Sequence, residues 1–467
     1  FCALNDLSNL PVLIAGSYWI FHDWVLAARF ISFAFGFGTL VPVYYLLKHL
    51  FDDEISVLGT LVLAVMPVFV GSSVDIIRDP ISWFFIATGL CLFIAGLGEN
   101  RASLFALSCV CFMMASWARI EASLLIVFSL LYLGAIKQEM KVKKILAFLM
   151  PIIGLLLLFF MTYFLSRSYL STDISLISTI TSKFTSPLSQ YHNIQNKLSE
   201  IAGINRYDTF GYFVSEIKKN VWLIALGSLL NRCLEAFFYP FFAVCIVGIY
   251  SSLKSIYSDK RMIYMAYISS IMLLMLYCHM FRSWFIDYRH VCLLILPCTP
   301  FIAFGIKSII EYSTSKIRLP RTVLLCIVAL CIIAMPLYKN SIKRDSDKRV
   351  FLDIGNYIRN IKQNSNVISI ATSCSTFRVI SFYTNLDYPG APCPEGTSKN
   401  CWEFFTNSRQ EFLQHLKSEK IEYFLSAEKL WPTGRMGPLP PNESPNLREL
   451  KRWHHPDTGE MILFEVL

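Results

Sequence analysis

Ten long, nearly uncharged apolar runs decide what this 467-residue chain can fold into. They cover 26 to 47, 56 to 74, 80 to 97, 102 to 117, 122 to 136, 145 to 165, 234 to 253, 262 to 279, 290 to 306 and 322 to 338. A run of about 20 apolar residues crosses a hydrocarbon core about 30 Å thick. Of all residues 55% are hydrophobic and only 16% charged, whereas a soluble domain carries nearer a quarter charged. No water-soluble fold hides that much apolar surface, so a bilayer must supply the solvent. The expected fold class is mainly α: a polytopic helical membrane protein of about ten spans with a small C-terminal α/β domain.

Loop charge tests the alternation of the spans, because Lys and Arg concentrate in short cytoplasmic loops. One set of loops holds Lys48, Arg101, Lys137, Lys141, Lys143, Lys144, Lys254, Lys260, Arg261, Lys307, Lys316, Arg318 and Arg321. The alternate short loops hold only Arg78, Arg119, Arg282 and Arg289. Thirteen against four supports the parity, including the two short runs that meet at Ala118-Arg119-Ile120-Glu121. The residues before the first run, the 166 to 233 segment and the tail are then extracytoplasmic. That basic balance, a net +9, follows topology rather than one basic stripe with interleaved aromatics, so nucleic acid is not an expected partner.

The sequence divides into a membrane domain over 1–344 and a soluble extracytoplasmic domain over 345–467. Within the first, 166–233 mixes Ser, Thr and Asn with apolar residues at helical spacing, as in Ile201, Ile204, Phe213, Ile217 and Leu223. It reads as amphipathic helices on the outer membrane surface, and residues 9 to 21 read likewise. The tail predicts helices over Phe351–Lys362 and Arg409–Ser418 and strands over Asn366–Ala371, Tyr423–Ser426 and Met461–Val466. Most cysteines lie inside apolar runs and read as packing residues. Cys393 and Cys401 flank a polar loop, and are candidates for a disulfide if the tail faces an oxidising compartment.

Common nucleotide, metal and hydrolase motifs are missing from the sequence: no GxxxxGK[ST], no GxGxxG after a strand, no HExxH and no GxSxG. The suggestive residues lie in the sparsely basic loops. They form four sets: Asp75, Arg78 and Asp79; Arg119 and Glu121; Arg232 and Glu235; and Arg282, Asp287 and Arg289. Charges at this depth are costly unless paired, wet or functional. They can be interfacial charges or salt bridges locking helices. They can also converge on one phosphate-bearing lipid, since a guanidinium fork binds phosphate bidentately and stays charged. Arg78, Arg119, Arg282 and Arg289 are the phosphate-binding candidates. Asp75, Asp79, Glu121 and Asp287 are candidates to orient an acceptor or hold a divalent cation. Asp79 before Pro80 equally suits a helix N-cap. His22 and His290 read as structural, and Trp19, Trp24, Trp83, Trp117 and Trp284 as an interfacial belt.

Several stretches resemble the polytopic C-type glycosyltransferases, the family of protein O-mannosyltransferases and the aminoarabinose transferase of lipid A. They are Leu10-Pro11-Val12-Leu13-Ile14-Ala15 leading into Ala27-Ala28-Arg29 through Gly36, then Tyr44 to Phe51, Ala64-Val65-Met66-Pro67, Arg78-Asp79-Pro80, Trp117-Ala118-Arg119-Ile120-Glu121, Asp287-Tyr288-Arg289 and Ile421 to Leu425. The resemblance implies a sugar taken from a polyprenyl-phosphate carrier at the non-cytoplasmic face and passed to a glycan, lipid or protein acceptor. It also implies a catalytic Asp or Glu in the first outer loop, which would precede Leu10. Neither Asp6 nor Asp23 is well placed to replace it, so the expectation is a further span and that carboxylate upstream of Phe1, and a chain inactive without them. A bacterial or archaeal plasma membrane is the expected location. The alternative is a transporter or flippase of a lipid-linked saccharide, using the same arginines without chemistry.

Overall fold

The computed structural model describes residues 9–137, 139–165, 175–204, 208–317, 320–341, 349–361, 368–385, 409–431, 443–444, 446–456 and 458–467. Cys393 and Cys401 lie outside them. The chain forms two compact units, Ser8–Ser341 and Ile342–Leu467 with Phe1–Leu7.

The larger unit is helical: α1 (Asn9–Phe21), α2 (Trp24–Gly38), α3 (Leu40–Lys48), α4 (Asp53–Val65), α5 (Pro67–Val74), α6 (Asp79–Glu99), α7 (Ala102–Ala118), α8 (Ser123–Ala135), α9 (Lys141–Leu165), α10 (Ser175–Ile204), α11 (Thr209–Lys219), α12 (Val221–Phe237), α13 (Tyr239–Ser258), α14 (Lys260–Ser283), α15 (Tyr288–Ile317) and α16 (Arg321–Ser341). Among the described residues, five helical stretches are long and apolar enough to cross a membrane: Trp24–Lys48, Asp79–Glu99, Lys260–Ser283, Tyr288–Lys316 and Arg321–Ser341. Two bent pairs raise the number to seven, Asp53–Val65 with Pro67–Val74 at 57° and Val221–Phe237 with Tyr239–Leu253 at 105°. Leu10–Phe21, Ala102–Ala118 and Ile120–Ala135 are apolar but shorter. The chain is a multi-pass integral membrane protein, and length and composition account for five to seven of the ten expected spans.

Both bends have local causes. Met66 is extended (φ −63°, ψ 122°) ahead of Pro67 at the start of α5, because the proline ring disfavours helical backbone in the residue before it. At the second bend Phe238 has φ 63°, a conformation that a residue with a Cβ adopts only when its surroundings impose it, and Pro240 opens the next helix. A helix that is apolar all round belongs in the interior, and α6 behaves so: Trp83, Phe93, Leu90 and Ile94 are fully buried. The Phe93 ring stacks on Tyr264 of α14 at 4.1 Å. Trp83 packs on Phe69 of α5, so it is a core residue and not part of an interfacial belt. Of the 166–233 segment, α12 differs from the surface helices expected, since Ala225, Leu229, Cys233 and Ala236 are buried in the main core.

The smaller unit holds α17 (Arg349–Ile361), β1 (Ile370–Ala371), α18 (Cys374–Thr384), α19 (Arg409–Ser418), β2 (Tyr423–Ala427), β3 (Glu443–Ser444), β4 (Leu447–His455) and β5 (Gly459–Val466). Its sheet runs β1-β2-β5-β4-β3, with β1 parallel to β2 and the remaining pairs antiparallel. Side chains alternate across a strand, so Tyr423 and Leu425 join a core under Phe351, Ile354 and Ile358 while Phe424 joins another with Phe412, Leu416 and Trp431. Helix α18 and strand β4 were not anticipated.

Candidate functional site

Three chain reversals of the larger unit build a charged cluster at one end of its bundle. Helix α5 stops at Val74, and the turn through Asp75 and Ile77 is pinned by Ser32, whose hydroxyl donates to the Ile77 carbonyl at 3.2 Å. Asp79 and Pro80 then open α6. The expected N-cap is corrected here: the N-cap position falls on Arg78 and has no side-chain cap, and Asp79 is the first helical residue with its carboxylate turned to a partner 40 positions on. That partner is Arg119. Helix α7 ends at Ala118, Arg119 is extended (φ −143°, ψ 117°), and a single 3-10 turn over Ile120–Ala122 restarts the chain into α8. This break turns the Arg119 side chain inward, with Nη1 2.9 Å from Asp79 Oδ1 and side-chain exposures of 7% and 2%.

The third reversal follows α14. Trp284 ends that helix in the left-handed region (φ 54°), and α15 begins at Tyr288. His290, the third residue of that helix, receives the other arm of Arg119: Nη2–H donates to His290 Nε2 at 3.0 Å. The His279 ring of α14 stacks against His290 with centroids 5.2 Å apart. Arg289 Nε lies 2.9 Å from Asp287 Oδ2. Beside this group Arg232 lies over the Tyr288 ring at 5.0 Å, and the Tyr288 hydroxyl donates to Glu235 Oε2 at 2.6 Å.

The four charge sets therefore come to one region, to different depths. Asp79 and Arg119 are buried at its centre. Arg289, Arg78 and Asp287 act on the Asp79 charge through space, with Arg78 itself exposed. Arg282 and Glu121 lie near His279. Asp75 is half-buried at the end of α5. Sequence reasoning read His290 as structural and gave His279 and Tyr288 no role in the site. Their signal is three-dimensional, because a histidine beside an arginine on an apolar span reads as packing until Arg119 is seen to reach it. Asp23 caps α2 instead of joining the cluster, accepting from the Val25 and Leu26 amides at 2.8 Å each.

Buried hydrogen-bonding capacity is unbalanced here. Arg119 Nη1 and Arg289 Nε face carboxylates, but among the described residues of this unit Arg119 Nε, Trp83 Nε1, Trp284 Nε1 and His290 Nδ1 are buried without a hydrogen-bond partner. Trp83 lies one turn beyond Asp79 on the same face of α6. Buried donors left unsatisfied are costly, and a surplus of them suits a ligand that carries acceptor oxygens and negative charge. Among the described residues no three His, Cys, Asp or Glu side chains group as metal ligands, and Asp79 faces a guanidinium.

Residues 10–165 match the family model of dolichyl-phosphate-mannose-protein mannosyltransferases. That stretch contains Asp79 and Arg119. The chain resembles the polytopic C-type glycosyltransferases. It is also similar in fold to the oligosaccharyltransferase of Archaeoglobus fulgidus. The apo form aligns over 90% of this chain and 61% of that one, with a TM-score of 0.56 at 11% identity. The form tethered with an acceptor peptide containing the NVT sequon aligns over 97% and 65%, with a TM-score of 0.54 at 11% identity. The chain thus spans under two thirds of the length of that enzyme. No curated protein matches.

Proposed function

We propose that this protein is a membrane glycosyltransferase that moves a sugar from a polyprenyl-phosphate donor to a glycan, lipid or protein acceptor at the non-cytoplasmic face. The observation that carries the proposal is the set of buried, unpartnered nitrogens at Arg119 and His290, with the Arg289 guanidinium beside them. A phosphate diester accepts hydrogen bonds and donates none, and it can satisfy several of them at once. Arg119 is fixed by Asp79 on one arm and His290 on the other, so its charge is oriented before a ligand arrives, the condition under which electrostatic stabilisation is largest.

In the step, an acceptor oxygen attacks C1 of the sugar and the C1–O bond to phosphate breaks, its electron pair going to the phosphate oxygen. The acceptor proton goes to a base. Arg119 and Arg289 offset the charge that grows on the phosphate. Asp79, committed to Arg119, orients that arginine; by resemblance the base is a carboxylate of the first outer loop. The thirteen-to-four loop charge supports the membrane face and an extracytoplasmic 345–467 domain.

The test offers radiolabelled polyprenyl-phosphate sugars to membranes carrying the full-length protein. Transfer is expected, with Arg119→Ala and Arg289→Ala each lowering it at least about tenfold; transfer unchanged in the double variant would overturn the arginine assignment. The two bent helix pairs favour one second reading, a flippase of lipid-linked saccharide, because transporters build sites at broken helices. Release of polyprenyl phosphate separates the two.

A further inference from the structure

We propose that His290 is a phosphate-binding residue of this site, a neutral imidazole with its proton on Nδ1, which holds Arg119 through Nε2 and presents Nδ1–H to an oxygen of the bound lipid phosphate. The proposal rests on the phosphate-lipid reading above. Its first premise is the polarity of the contact: a guanidinium can only donate, so at 3.0 Å from Arg119 Nη2 the His290 Nε2 must be the acceptor. A neutral imidazole that accepts on one nitrogen carries its hydrogen on the other. That hydrogen is on Nδ1, an atom buried and without a partner.

The ring is also held in place. His279 stacks on it at 24°, and the His290 amide donates to the Asp287 carbonyl at 3.0 Å, so the imidazole plane and its Nδ1 edge are set by α14 and the start of α15 together. Arg119 is 93% buried by its 7% exposure and has its own Nε unpartnered. Two fixed, buried donors, Arg119 Nε and His290 Nδ1, are thus joined by one hydrogen bond between their side chains. An oxyanion at the Nδ1 edge would complete the capacity of His290, which no group of the described protein does. A core histidine with a purely structural role would instead have its second nitrogen bonded to protein.

The full chain labelled with nitrogen-15 histidine, in detergent micelles, tests this. The His290 signals, assigned by their loss in His290→Gln, are expected to be those of the Nδ1-protonated tautomer and to become a mixture in Arg119→Gln. Titration with polyprenyl monophosphate is expected to shift Nδ1. In transfer assays His290→Phe is expected to lower kcat about 10- to 100-fold, the cost of losing a hydrogen bond to a charged group, and His290→Gln, whose amide both accepts and donates, to lower it less. A wild-type His290 protonated on Nε2, or blind to polyprenyl monophosphate, overturns the proposal even if His290→Phe fails to fold. A chain whose Nδ1 shifts as expected but which transfers no sugar overturns the glycosyl-transfer reading and upholds the role of His290.

Discussion

Removing either member of the Asp79–Arg119 pair exposes how the site is held. At 2.9 Å and an effective dielectric near 20, opposite unit charges attract by roughly 6 kcal/mol, and desolvating each ion costs several kcal/mol in return. The net value of the pair is therefore modest, but deleting one partner leaves the other buried and uncompensated, a loss of about 3–5 kcal/mol. Asp79→Asn and Arg119→Gln are each expected to destabilise by that much. The double variant, with no buried charge left, is expected to lose about 2 kcal/mol or more less than the two singles summed. Labelling of the buried thiols Cys109, Cys233 and Cys292 along a denaturant series reports the opening free energy of each variant. Additive single effects, within about 0.5 kcal/mol, would refute the coupling and with it the claim that Asp79 exists to orient Arg119.

Two further outcomes follow from packing and from pH. A Cβ on Gly248 would come 1.7 Å from the Phe301 carbonyl oxygen, so Gly248→Ala must push α13 from α15 at a cost of about 1–3 kcal/mol; Gly227→Ala, with open space around it, is expected to be neutral or mildly stabilising by the same thiol assay. In the smaller unit, hydrogen bonding from the Arg452 guanidinium holds the Glu449 carboxyl below its ordinary value. A depressed folded value means the stabilisation is present above the unfolded pKa of about 4.3 and fades as pH falls through the folded one. Glu449→Gln is thus expected to weaken β5 amide protection by a few tenths of a kcal/mol near pH 7 and by nothing near pH 3, measured as the wild-type to variant exchange ratio.

What could be read from the chain was local. Apolar runs located the helices, and the scarcity of Lys and Arg in alternate loops singled out Asp79, Arg119 and Arg289 as charges that need a reason to sit where they do. What could not be read was who pairs with whom. Asp79 before Pro80 carries a strong local helix-start pattern, and only the burial of Arg119 40 residues later overrides it. Trp83 sits near a span end like an interfacial tryptophan, yet α6 is surrounded and buries it fully. Helix α12 has the polar scatter of a surface helix, but its Ala225, Leu229 and Cys233 stripe is core. The two bends were not read from the sequence, although Pro67 and Pro240, neither able to continue a helix hydrogen-bond ladder, stand at them.

The account stands on sugar leaving a lipid phosphate at the Arg119 cluster. The direct measurement follows a polyprenyl-phosphate donor with separate labels in sugar and lipid, added to vesicles holding the full-length protein. Sugar on an acceptor together with an equal amount of freed polyprenyl phosphate, both lost in Arg119→Ala, is the predicted result. Intact donor appearing on the opposite leaflet with no polyprenyl phosphate released would contradict it.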